Sequence, residues 1–98
     1  MNNYKYTVHY STKFKKNLKK LLKQGKDIDK LLDVGDILAS NQKIDSKYLN
    51  HRLNDNKYFK DCYELHIEPD WLLVYRYSEN ELILVLVNTG SHSEVLNM

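Results

Sequence analysis

The first half of the chain arranges its apolar positions in two different periods. Residues 4–10 alternate aromatic or aliphatic side chains with polar ones, which is typical of a β-strand with one buried face. Residues 14–22 and 28–38 instead repeat their apolar side chains at helical spacing, and Gly25 lies between the two stretches. This pattern predicts a strand followed by a hairpin of two amphipathic helices.

The second half is richer in aromatic and β-branched residues. Residues 63–67, 71–77 and 82–88 have the composition of strands, and they are separated by Glu-Pro-Asp and Ser-Glu-Asn. Such short connections favour antiparallel neighbours. We therefore expect an α+β fold in which an N-terminal strand and a helical hairpin pack on a curved antiparallel sheet. The opposite face of the sheet is then expected to be free for binding.

Composition limits the class of protein. The chain has 98 residues, of which 42% are hydrophobic and 29% charged, as expected for a single globular domain over residues 1–98. Its one cysteine, Cys62, excludes an internal disulfide framework. The sequence contains no run of about 18 apolar residues, the length needed to span a bilayer. We therefore expect a cytoplasmic protein with no membrane partner.

Basic residues are concentrated near the N-terminus. Residues 1–30 contain nine lysines and two aspartates, a balance of +7, whereas residues 31–98 contain six basic and eleven acidic residues, a balance of −5. Clustered lysines attract polyanions, which favours a nucleic-acid contact, although a solvated helix face explains the same pattern equally well. The lysines of the first helix are Lys15, Lys16, Lys19, Lys20 and Lys23.

Three of the four histidines lie near predicted strand ends or loops. His51, His66 and His92 have polar neighbours, and Asp70 follows His66 across a proline turn. Histidine titrates near neutrality, so several on one surface can divide proton removal from proton donation, as cleavage of RNA by its own 2′-hydroxyl requires. The alternatives are structural histidines and a metal site. A metal site is the weaker alternative, because no histidine pair has the helical i, i+4 spacing of a metal motif.

Trp71 and Gly90 each have two interpretations. An indole at the start of an aliphatic strand either packs in the sheet or offers a stacking surface to a base of single-stranded RNA. Gly90 either ends the last strand as an ordinary loop glycine or lets Thr89 and Ser91 approach a phosphate. The residues alone favour neither interpretation for Trp71, and they favour the loop glycine for Gly90.

Several stretches occur in an order that is specific to one family. The most specific are His-Ile-Glu-Pro-Asp-Trp at residues 66–71 and Thr-Gly-Ser-His at residues 89–92. Together with the lysine-rich helix and Leu-Asn-His-Arg-Leu at residues 49–53, they span nearly the whole chain. The chain resembles the YafQ family of toxins of type II toxin–antitoxin systems, a branch of the RelE-like superfamily of mRNA interferases.

The resemblance implies a ribosome-dependent endoribonuclease that cleaves mRNA, inhibits translation and is neutralised by a cognate antitoxin. It implies a RelE-like fold, metal-independent catalysis without a cofactor, and a toxin that is monomeric alone and heteromeric with its antitoxin. The 70S ribosome and mRNA are the other implied partners, with ribosomal RNA contacted by the helix lysines. The implied catalytic residues are His51, His66, Asp70 and His92, and the implied substrate-binding residues are Trp71, Asn88, Thr89 and Leu96.

Two arginines that are usual in the family are replaced in this chain. Tyr63 stands before Glu-Leu-His, Asn88 stands before Thr-Gly, and Leu96 occupies a position where phenylalanine is usual. A guanidinium beside the scissile phosphate stabilises the charge of the transition state, so the missing arginines are expected to reduce cleavage, whereas the retained acid–base residues favour an active enzyme. The alternative is a catalytically impaired relative that binds the antitoxin and the ribosome without cleaving RNA. The gyrase-poisoning branch is disfavoured, because it is not expected to carry this set of histidines.

Overall fold

A five-stranded sheet and three helices make up the computed structural model, which describes residues 4–96. The strands are β1 (Thr7–Tyr10), β2 (His51–Arg52), β3 (Tyr63–Glu68), β4 (Trp71–Ser78) and β5 (Ile83–Gly90). The helices are α1 (Thr12–Lys23), α2 (Ile28–Ala39) and α3 (His92–Leu96), and a 3-10 turn covers Ser46–Tyr48. The predicted strand, helical hairpin and three later strands are confirmed, and the 3-10 turn, β2 and α3 are additional. In the described part of the chain, none of the helices has the length and apolar content needed to cross a bilayer.

Local sequence signals set the ends of the two long helices. The Ser11 hydroxyl accepts a hydrogen bond from the Phe14 amide at 3.0 Å and so caps α1. Gly25, with φ 78°, lets the chain leave this helix in a left-handed conformation. The Asp27 carboxylate then accepts from the Asp29 amide at 3.1 Å and caps α2. These caps and the glycine turn fold the segment into a hairpin.

The sheet is mixed rather than wholly antiparallel. Its strand order is β1-β5-β4-β3-β2, and β1 pairs in parallel with β5, whereas the other three pairs are antiparallel. Parallel neighbours need a long crossover, and the whole segment between β1 and β5 provides it. The antiparallel expectation is therefore corrected for β1. Alternation along one strand shows which face is buried but not the direction of the partner strand.

Two apolar cores lie on opposite faces of β4. Alternate residues of this strand point into the main core under α1 and α2 or into a smaller cluster on the other face. The smaller cluster consists of Phe59, Cys62, Leu72, Val74 and Val95. Because the segment before β3 and helix α3 cover it, the expectation of a fully free opposite face is wrong. The accessible part of this face lies beside β2 and β3.

Adjacent leucines on α1 test the burial of the main core. Leu21 is 3% exposed and Leu22 is 54% exposed. We predict that Leu21→Ala lowers the free energy of unfolding by about 2–5 kcal/mol because it leaves a cavity, whereas Leu22→Ala changes it by less than about 0.5 kcal/mol. Urea denaturation of both variants measures the difference. Equal losses from the two substitutions would contradict this packing.

Candidate active site

Three histidines from separate elements come together beside β3. His51 lies on β2, His66 on β3, and His92 begins α3. The ring centroids of His66 and His92 are 5.3 Å apart, and both rings line one groove of about 730 Å³. The structure therefore places two of the histidines selected from the sequence in direct proximity, and the third is connected to them through a carboxylate.

That carboxylate belongs to Glu64, which lies between His51 and His66. Glu64 is opposite His51 in the β2–β3 register and two residues before His66, so the three side chains share one face. Its Oε1 atom is 3.7 Å from Nε2 of each histidine. Glu64 is 4% exposed, and within residues 4–96 its Oε2 atom has no hydrogen-bond partner. Sequence reasoning missed Glu64, although strand alternation already placed its side chain beside that of His66.

The backbone before β2 fixes the orientation of His51. Nδ1 of His51 lies 3.0 Å from the carbonyl oxygen of Leu49, and because a carbonyl only accepts, Nδ1 carries the hydrogen. Leu49 ends the 3-10 turn in the left-handed conformation at φ 52°. The Tyr75 hydroxyl donates to Oδ1 of Asn50. Burial raises the pKa of Tyr75, so this hydroxyl remains a donor. Nε2 of His51 is thereby left on the side of Glu64.

Asp70 orients His92 through two hydrogen bonds. Oδ1 of Asp70 accepts from the backbone amide of His92 at 2.9 Å and lies 2.6 Å from Nδ1 of its ring. These bonds, with the backbone amide contributing most, lower the pKa of the Asp70 carboxyl below its usual value of 3.8. An ionised carboxylate only accepts, so Nδ1 carries the hydrogen and Nε2 of neutral His92 keeps its lone pair. Nε2 is therefore the ring nitrogen of His92 that can accept a proton.

The Thr-Gly-Ser-His turn holds the start of α3. The Ser91 hydroxyl accepts from the Glu94 amide at 3.2 Å, and Oε1 of Glu94 accepts from the Ser91 amide at 3.1 Å, which forms a capping box. Gly90 has φ 145°, and a Cβ atom there would lie 3.2 Å from Oε1 of Glu94. Both features favour glycine. The turn therefore positions His92, and Ser91 is a helix cap.

Three residues expected to contact substrate are buried instead. Trp71, Asn88 and Thr89 are each 0% exposed. The indole Nε1 of Trp71 donates to Oγ1 of Thr89 at 3.0 Å, and that hydroxyl donates to the carbonyl oxygen of Leu72 at 2.7 Å. Oδ1 of Asn88 accepts from Nδ2 of Asn17 at 2.6 Å. The expected direct contacts are corrected accordingly, because these polar groups bond inside the fold and Trp71 presents no surface to a base.

Tyr63 and Arg52, which is paired with it on β2, both have their side chains engaged away from the groove. The Tyr63 ring stacks on that of Tyr75, with centroids 5.7 Å apart. The Arg52 guanidinium contacts the carboxylates of Asp55 at 3.3 Å and Asp61 at 3.0 Å. The arginine of β2 therefore holds the segment before β3 and does not replace the arginines that are absent at positions 63 and 88.

Lysines are the cations that line the groove. Lys30 and Lys47 both border it beside the two histidines. Nζ of Lys30 lies 2.8 Å from Oε2 of Glu68, and Nζ of Lys26 lies 3.1 Å from Oε1. The bond from Lys30, followed by that from Lys26, lowers the pKa of the Glu68 carboxyl. Asp33 also lines the groove, so the two lysines lie close to the histidines together with two carboxylates.

The remaining predicted contact residues are exposed. Leu96 is 49% exposed on α3. The five lysines of α1 that were expected to contact RNA are all exposed, and they are Lys15, Lys16, Lys19, Lys20 and Lys23. This placement fits both a solvated helix face and a contact with a polyanion.

Comparison with known sequences identifies relatives over nearly the full chain. A family model described as a bacterial toxin of type II toxin–antitoxin systems, YafQ, matches residues 6–97. The mRNA interferase toxin YafQ of Escherichia coli is 31% identical over 87 residues, which cover 88% of this chain and 90% of that protein.

Solved structures give the same result. The metal-bound toxin from Helicobacter pylori superposes with a TM-score of 0.85 at 43% identity, covering 92% of this chain and 98% of that chain. The DinJ–YafQ complex from Escherichia coli gives a TM-score of 0.81 at 30% identity, covering 92% of this chain and 97% of that one. Sequence and fold agree, and the chain belongs to the YafQ family of bacterial toxins of type II toxin–antitoxin systems.

Proposed function

We propose that this chain is a ribosome-dependent endoribonuclease that cleaves mRNA by acid–base catalysis without a metal. The observation that carries the proposal is the pairing of His66 and His92 in one groove, with Glu64 beside His66 and Asp70 beside His92. Relatives named mRNA interferase toxin YafQ support mRNA as the substrate. Inhibition of translation follows from cleavage of the message.

In the proposed reaction, the ribose 2′-hydroxyl attacks the adjacent phosphorus. Nε2 of His92 takes the proton of this hydroxyl as the O2′–P bond forms. The P–O5′ bond breaks, and the leaving O5′ takes a proton from His66. The products are a 2′,3′-cyclic phosphate and a 5′-hydroxyl end. His51 is a second proton donor or a phosphate contact, while Asp70 and Glu64 orient the histidines.

The proposed partners are the ribosome and an antitoxin. The exposed lysines of α1 would bind ribosomal RNA through its phosphates, which positions the groove without choosing the codon. The DinJ–YafQ complexes of Escherichia coli support a cognate antitoxin for this chain. We propose a heteromeric complex with that antitoxin and a monomer in its absence.

A second candidate function is binding without cleavage. In the part of the chain that the structure describes, the groove is lined by lysines and not by arginine. Asn88 is buried against Asn17, so restoring an arginine there would disrupt the core rather than add a cation to the groove. Absence of cleavage by folded, ribosome-bound protein would favour this second function.

Loss of the oriented base should strongly slow cleavage. We predict that His92→Ala slows cleavage of mRNA on 70S ribosomes by at least about 100-fold, because general base catalysis contributes on that order. Primer extension on a defined message measures the cuts, with and without a metal chelator.

His9→Ala is the matched control, because His9 is exposed on β1, far along the sheet order from β3. It should cleave like wild type. Wild-type cuts that disappear on chelation would overturn the metal-independent mechanism, and full activity of His92→Ala would overturn the role of this histidine.

The Asp70–His92 interaction should appear as a pH-dependent contribution to stability. A lowered carboxyl pKa stabilises the folded state above the unfolded value of 3.8, and the contribution is lost as the pH falls through the lower folded pKa. We predict that wild type exceeds Asp70→Asn in unfolding free energy at neutral pH and that the gap closes below about pH 3.8. Urea unfolding from pH 2.5 to 7 measures it, with Asp33→Asn at an exposed position of α2 as control. A pH-independent gap would contradict the ionic origin.

The salt dependence of ribosome binding should depend on α1. Lys16, Lys19 and Lys23 lie on one side of the helix, and we predict that replacing all three with glutamine lowers the slope of log K against log[salt] by about 2. Filter binding to ribosomes at several salt concentrations measures the slope. The control makes the same charge change at three other exposed lysines, which are Lys43, Lys57 and Lys60. Equal slopes for the two triple variants would rule out α1 as the contact.

A further inference from the structure

Because Trp71 is buried, its ring cannot stack on a base of the RNA, but the groove contains another aromatic residue. Tyr48 lines the groove together with His66 and His92. Its ring is half-buried and packs against the main core. Within the described part of the chain, the Tyr48 hydroxyl makes no hydrogen bond to another residue. Packing against the core therefore holds the ring in place. Tyr48 is thus an aromatic side chain, supported by the core, in the same groove as the histidine pair.

The turn that carries Tyr48 is well fixed. The Asp45 carboxylate accepts from the Lys47 amide at 2.9 Å and caps the 3-10 turn, and Leu49 ends it in the left-handed conformation. The same turn leads directly to His51 and its bond to the Leu49 carbonyl oxygen. A ring fixed in this way loses little conformational entropy when a planar group stacks on it.

A cation accompanies this ring. Nζ of Lys47 lies 5.2 Å from the centroid of the Tyr48 ring. Among residues 4–96, Lys47 has no carboxylate partner, unlike Lys30 on the other side of the groove, which contacts Glu68. Lys47 is exposed, and its flexible side chain can move off the ring face, which leaves that face open to a base while the ammonium contacts the phosphate.

We propose that Tyr48 stacks on a nucleobase next to the scissile phosphate and that Lys47 contacts the RNA backbone there. This inference rests on the proposed endoribonuclease function, and it names the residue that receives the substrate base. Stacking is tolerant of base identity, so Tyr48 supplies affinity and alignment for single-stranded RNA.

The chain contains a matched control for this pair. Lys57 and Tyr58 form a second lysine–tyrosine pair with an Nζ-to-centroid distance of 5.5 Å. Tyr58 is 52% exposed and lies outside the residues that line the groove. Tyr58→Leu therefore removes the same chemical group from a surface where no substrate is expected.

The experiment compares cleavage of ribosome-bound mRNA by three variants. Stacking of one base is worth about 5- to 150-fold in affinity, so Tyr48→Leu should lower kcat/KM by at least about 5-fold. Tyr48→Phe keeps the ring and should restore activity to within about 2-fold of wild type. Tyr58→Leu should match wild type. Circular dichroism melting confirms that each variant is folded, and leucine retains the apolar contact with the main core.

A second arm separates stacking from a structural role. Messages with a single abasic nucleotide on the 5′ or the 3′ side of the cleavage site lack the base that would stack. With the abasic nucleotide at the stacking position, wild type and Tyr48→Leu should cleave at the same rate, because the ring has lost its partner. A structural defect in Tyr48→Leu would instead persist on every message.

The outcomes distinguish this inference from the function on which it rests. No cleavage by wild type would refute the endoribonuclease. Cleavage by wild type together with an unchanged rate for Tyr48→Leu, or with a defect that persists on both abasic messages, would refute the stacking role alone.

Discussion

Strand β4 is buried on both faces, and this constraint positions the rest of the molecule. Its residues 71–75 are at most 1% exposed, so each face needs a cover. The helical hairpin covers one face, and Phe59 and Val95 help to cover the other. Because Val95 lies three residues after His92 on α3, packing of this helix also holds His92 beside His66. The second core and the geometry of the histidine pair therefore depend on the same contacts.

The two carboxylates of the site occupy different environments. The Asp70 side chain is 71% exposed to solvent, and it orients His92 through two direct hydrogen bonds. Glu64 is buried, and removing a carboxylate from water is costly unless it is paired. His51 and His66 are the groups within reach of its Oε1 atom. The buried carboxylate therefore favours keeping His51 and His66 close to each other on either side of it. Asp70, in contrast, leaves the His92 side chain exposed and accessible to substrate.

Sequence reasoning predicted what local periodicity encodes. The helical hairpin, the three later strands and the residues of the histidine set were all evident in the sequence, since spacing and capping residues act over a few positions. The pairing direction of β1, the covered second face and the role of Trp71 depended on distant partners. Trp71 packs in the main core, and Thr89 on another strand accepts from its buried indole N–H. Alternation places Glu64 on the same face as His66, but its position opposite His51 depends on the β2–β3 register, which the sequence does not show.

The parallel pairing of β1 with β5 has a consequence for the order of folding. Thr7 pairs with Ile83, so β1 can pair with its neighbour only after most of the chain has been synthesised. Contacts this distant in sequence form slowly and late. The groove also requires α3, which follows β5. A nascent chain therefore has no assembled groove until the last strand and helix have been synthesised.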